Sequence, residues 1–79
     1  MHRPIRRTQL TVRAARQTLG VQLVTDRGPA TFSELRDTLR TRLGWSRASA
    51  VLALADAIRD GEIVHEGEQL VTAATRAAT

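Results

Sequence analysis

Residues 31–49 read TFSELRDTLRTRLGWSRAS, and this stretch decides the fold. Thr31 with Glu34 three positions later is a capping box: the hydroxyl takes the Glu34 amide while the carboxylate reaches back to the Thr31 amide. Phe32, Leu35, Leu39 and Leu43 follow at helical spacing, and Gly44 suits the left-handed residue that closes a helix. This predicts a helix over about 32–43. Trp45 completes a short turn, and Ser46 caps a further helix from Arg47 to Asp60. Its apolar stripe is Val51, Leu54, Ala55 and Ile58, with Gly61 as the stop signal.

Toward the C-terminus, Ile63-Val64-His65 and Gln69-Leu70-Val71 flank Glu66-Gly67-Glu68. Such an arrangement predicts a β-hairpin with Gly67 supplying a positive φ. Toward the N-terminus, Asp26-Arg27-Gly28-Pro29 is a turn, preceded by a helix over Thr8 to about Thr25. That first helix carries two apolar stripes, Leu10, Ala14, Val21 and Val24 on one side and Val12, Ala15, Leu19 and Leu23 on the other. The alternative is that Gly20 breaks the helix, so that the two stripes never align. Residues 1–7 read as a flexible basic arm, 8–73 as the domain and 74–79 as a frayed tail.

Seventy-nine residues hold one small domain and exclude barrel enzymes and dinucleotide folds by length. There is no cysteine, so no disulfide framework or thiolate metal site. The longest apolar run, Ala50–Ala55, is six residues, too short to span a membrane. The expected compartment is the cytoplasm, or the nucleoid if nucleic acid is bound. Catalysis finds no support: His2 and His65 are the only histidines. No nucleophile elbow, phosphate-cradling glycine loop or metal-ligand spacing is present, so no catalytic residue, metal or cofactor is assigned.

Charge is distributed unevenly. All twelve basic residues are arginine. Residues 1–47 carry a net +7 and residues 48–79 a net −3. A polyanion is the natural partner of the first part.

Two helices joined by the three-residue turn Gly44-Trp45-Ser46, followed by a β-ribbon, resemble the winged helix-turn-helix family. The likeness rests on Thr31-Phe32-Ser33-Glu34-Leu35-Arg36, Gly44-Trp45-Ser46-Arg47-Ala48-Ser49 and Asp60-Gly61-Glu62-Ile63-Val64, and covers about half the chain, from Thr31 to Val71. It implies a mostly α fold with three helices and a two-stranded wing. It also implies a regulator of transcription or another DNA transaction that binds duplex DNA through the start of the third helix. Arg47, Ser49, Ala50 and Ala53 become the candidate base readers, with Ser46 on a phosphate at the helix N-terminus. Arg36, Arg40 and Arg42, with Arg6 and Arg7 on the arm, are candidate phosphate contacts.

The chain departs from the family pattern in its wing, which reads Glu66-Gly67-Glu68 where the family usually carries basic residues. Asp56 and Asp60, taken to lie on the outward face of the third helix, restrict groove entry to its first turn and a half. An alternative follows from these acids: a winged-helix module that docks a protein through its acidic wing and has little DNA affinity. The stripe Val12, Ala15, Leu19 and Leu23 is open to two readings, a homodimer seam or a face packed under the C-terminal segment.

Overall fold

The computed structural model describes residues 4–78, and side chains from Thr11 to Ala77. In chain order the elements are α1 (Pro4–Arg27), α2 (Phe32–Leu43), α3 (Arg47–Arg59), β1 (Ile63–Glu66), β2 (Gln69–Thr72) and α4 (Ala73–Ala78). The described chain is therefore mostly helical, with one two-stranded antiparallel hairpin.

The local signals of residues 31–49 act as their chemistry dictates. Thr31 is extended (φ −71°, ψ 162°), and its hydroxyl accepts the Glu34 amide at 3.2 Å. The Glu34 carboxylate accepts the Thr31 amide at 2.9 Å, which closes the box. That backbone hydrogen bond holds the Glu34 carboxyl below the usual carboxylate range. Gly44 adopts φ 68°, where a side chain would be strained, and its amide returns to the Arg40 carbonyl at 3.0 Å. Ser46 then accepts the Ser49 amide at 3.2 Å to start α3.

The ends of the chain differ from the sequence reading. Helix α1 begins at Pro4, within the segment read as an arm, because proline costs nothing in the first turn, where its missing N–H has no helical acceptor. It also passes through Gly20 unbroken. Within the segment read as a frayed tail, the described residues through Ala78 belong to the short α4, whose start is capped by Thr72: its hydroxyl accepts the Thr75 amide at 3.2 Å. The hairpin pairs Ile63 with Thr72 through Glu66 with Gln69, leaving Gly67-Glu68 as the two-residue turn, with Gly67 at φ 65°. Ala30 adds an isolated bridge to Leu70, with hydrogen bonds of 3.3 and 2.7 Å, that ties the exit of α1 to the hairpin.

The core joins Val24 of α1, Leu35 and Leu39 of α2, Ala50, Leu54 and Ala57 of α3, Ile63 and Leu70 of the hairpin, and Ala30. Burying each of the larger side chains contributes about 1.5–3 kcal/mol. Val21, Leu23, Phe32, Trp45 and Ile58 pack partly buried around this centre.

The face α3 turns inward matches the predicted stripe only in part: Leu54 is buried and Ile58 packs against the core, but the buried stripe is centred elsewhere. Ala50, Ala53, Leu54 and Ala57 are buried, whereas Val51 and Ile58 are half-buried and Ala55 is exposed. The reason lies in α1. Its Gly20 sits so close to α3 that a Cβ built there would lie 3.6 Å from the Ala53 Cβ. Small residues on both helices permit that approach, so alanines occupy the seam and longer side chains turn out.

Candidate nucleic-acid interface

The buried seam between α1 and α3 fixes which charges remain available. Asp56, 2% exposed, points toward α1. Arg13 grips it with two parallel hydrogen bonds, Nε to Oδ2 at 2.7 Å and a terminal nitrogen to Oδ1 at 2.8 Å. Arg59 adds a third at 3.1 Å. The Arg13 hydrogen bonds hold the Asp56 carboxyl below the usual range, against the opposing effect of burial, and the same contacts raise Arg13. Asp60 is turned the same way, accepting from Gln17 at 2.8 Å and from Arg59 at 3.1 Å, and its carboxyl is lowered, chiefly by Gln17. Gln17 also donates to Glu62.

These contacts correct the reading of Asp56 as outward-facing, while Asp60, which caps the end of α3, stays exposed as expected. Asp56 is directed at α1, where an arginine of the basic part neutralises a carboxylate of the acidic part across 43 residues. The open face of α3 instead presents Arg47, Ala48, Val51, Leu52 and Ala55, which line one shallow surface depression.

Two of the four candidate base readers are displaced by the same rotation. Ala50 and Ala53 are buried in the core and against α1, where no base edge reaches them. Ser49 is half-buried, and its hydroxyl accepts from Ser46 at 3.1 Å, so both serines serve the helix cap. Ser46 remains exposed at the N-terminus of α3. Arg47 alone of the four readers stands fully open.

The phosphate candidates divide similarly. Arg40 and Arg42 in the last turn of α2 are exposed. Neither they nor Arg47 form an ion pair among the described residues, which include every Asp and Glu of the chain. Arg36 is half-buried and holds Asp37 at 3.2 Å. Arg6 and Arg7 lie on α1, and their side chains fall outside the described ones. Arg40 and Arg42 thus stand exposed before the Gly44-Trp45-Ser46 turn and Arg47 just after it. Trp45 is half-buried against the core, and an open groove at the turn is lined by Asp37, Arg40, Thr41, Gly44 and Trp45.

The hairpin presents Glu66 and Glu68 exposed at its tip. Of the second α1 stripe, Val12, Ala15 and Leu19 are exposed, and Leu23 is drawn half-buried against the core. No helix among the described residues is long and apolar enough to cross a membrane.

The residues that sequence reasoning missed are Ala48, Val51, Leu52 and Ala55 as a surface, and Arg13 as the partner of Asp56. The signal for the first was present: Gly20 marks a close helix crossing, which calls for alanines opposite it and moves the larger side chains outward. Comparison with known proteins gives no further guide: no family model, curated protein or solved structure matches the chain.

Proposed function

We propose that this chain is a small winged-helix protein that binds duplex DNA at the turn between α2 and α3. The observation that carries the reading is the set of three exposed, unpaired guanidinium groups, Arg40, Arg42 and Arg47, on either side of a tight turn that opens a capped helix. Arg40 and Arg42 supply phosphate neutralisation, which carries affinity but no sequence information. Arg47 at the first position of α3 supplies a two-pronged donor suited to the O6 and N7 of guanine. Ala48 and Val51, next along the open face, offer methyl surface to thymine. With Asp56, the one carboxylate within α3, buried and paired with Arg13 and Arg59, no carboxylate of that helix opposes the approach of phosphate.

Anisotropy titration on a random duplex at rising salt tests this reading. Two phosphate contacts at about 0.9 each predict a log–log slope of about −1.8, a loss of roughly 12-fold between about 50 and 200 mM salt. Substituting Arg40→Gln and Arg42→Gln together lowers the slope by about 2 on every sequence. Arg47→Ala costs about 1–3 kcal/mol on a preferred site selected from a random pool, and little on random DNA. Absent or salt-independent binding refutes the proposal.

A second reading is favoured by one specific observation. The open face of α3 is apolar at Ala48, Val51, Leu52 and Ala55, and the hairpin beyond it is acidic, a combination suited to docking a protein. Flat DNA titrations select that reading.

A further inference from the structure

Beside the open face of α3, a groove of about 320 Å³ runs between α1 and α3, lined by Val12, Arg13, Arg16, Ser49, Leu52, Ala53 and Asp56. Its volume falls at the lower end of the roughly 300–1,000 Å³ typical of small-molecule sites. Val12 and Leu52, each 41% exposed, stand on its two sides, so both helices leave apolar surface facing water there.

The charges around it do not cancel. Arg13 and Arg59 are matched by Asp56 and Asp60 through the contacts described above. Arg16 is exposed and forms no ion pair among the described residues. No Asp or Glu precedes Asp26 in the chain, so residues 1–10 hold no carboxylate side chain to neutralise it. Among the described residues, one surplus positive charge therefore borders an apolar trough. Ser49 supplies a second polar group: its Oγ accepts from Ser46 at 3.1 Å, which leaves its own proton to donate.

We infer that this groove binds a small amphipathic monoanion, a carboxylate on an apolar body, with its head at Arg16 and its tail over Val12, Leu52 and Ala53. A single negative charge balances the surplus cation found among the described residues, Arg16. The apolar body removes Val12 and Leu52 from water, which a bare anion cannot do. Dianions and nucleotides are disfavoured because, among the described residues, Arg16 is the one cation lining the groove that is not already held by a carboxylate. The site is independent of the DNA reading, since its binding residues do not include Arg40, Arg42 or Arg47.

The test is NMR titration of the intact, isotope-labelled chain with sodium decanoate below its micelle-forming concentration, with decanol and butyrate as separate probes and no nucleic acid present. Saturable shifts at the amides of Arg16, Ser49 and Leu52 with decanoate are expected, with butyrate and decanol each on the order of tenfold weaker. Arg16→Gln, at an exposed position that leaves the circular dichroism spectrum unchanged, weakens decanoate on the order of tenfold and leaves decanol unaffected. Equal binding of decanol and decanoate, or an Arg16→Gln variant that binds decanoate as tightly as the parent, overturns the assignment. So does movement of the same amides on concentrating the protein alone, which would show a second copy covering the groove.

Discussion

Replacing Gly20 by alanine tests the seam on which the arrangement of charges depends. Glycine inside a helix is less favourable than alanine by about 0.5–1 kcal/mol, because the unfolded chain gives up more freedom there. At most sites facing a neighbouring helix the added methyl group would collide. Here the built Cβ lies 3.6 Å from the Ala53 Cβ, ordinary van der Waals contact, with no other nearby heavy atom. That contact adds about 0.1–0.2 kcal/mol more. Gly20→Ala is therefore expected to stabilise the chain by about 1 kcal/mol, and thermal unfolding followed by circular dichroism should show a midpoint about 4–8 °C higher. Gly20→Val adds two further methyl groups at the crossing and is expected to destabilise by about 1–3 kcal/mol through overpacking. The opposite signs are the discriminating feature. A lower midpoint for Gly20→Ala, or two variants that behave alike, would refute both the continuity of α1 through residue 20 and its close approach to α3.

Two further outcomes follow from the hydrogen bonds. Asp56→Asn is expected to cost about 1–3 kcal/mol at neutral pH by weakening charge-assisted bonds to a buried group. Because the folded Asp56 carboxyl is held below its unfolded value, its contribution is present above the ordinary carboxylate range and is lost as pH falls through the folded value. The gap in unfolding midpoint between parent and variant should therefore narrow on acidification below about pH 4, and a gap that widened there would show Asp56 to be protonated already in the fold. Thr31→Ala removes the hydroxyl that accepts the Glu34 amide and should cost about 1 kcal/mol in chemical denaturation, with no loss meaning that α2 starts without its cap.

What could be read in the sequence was whatever a few neighbouring residues decide among themselves. The Thr31–Glu34 box, the left-handed Gly44, the Ser46 cap and the Gly67 turn each depend on groups within four positions, and all four form. The orientation of α3 was not legible in the same way. Assigning Ala50 and Ala53 to base contact followed from their place near the start of a helix. Their burial follows from Gly20, some thirty residues earlier, and from the approach it permits. Asp56 looked like a surface carboxylate because nothing near it in sequence is its main partner, while Arg13 reaches it from α1. For the candidate interface, Arg40, Arg42 and Arg47 kept their exposure because they sit beside a turn, where the local signals set the geometry. The apolar surface of Ala48, Val51, Leu52 and Ala55 escaped notice because it is the complement of a seam that only the folded chain reveals.

The bridge from Ala30 to Leu70 has a bearing on how the molecule opens. Strand β2 exchanges hydrogen bonds with β1 on one edge and with Ala30 on the other. A hairpin held only by its own turn would fray in isolation, exposing its amides to solvent on a fast timescale. To release the Leu70 amide, the chain must also detach the segment linking the first two helices, and with it Val24 and Leu35 from the core. Deuterium uptake at Leu70 should accordingly follow loss of the whole tertiary structure, so that the ribbon and the helices open as one cooperative body.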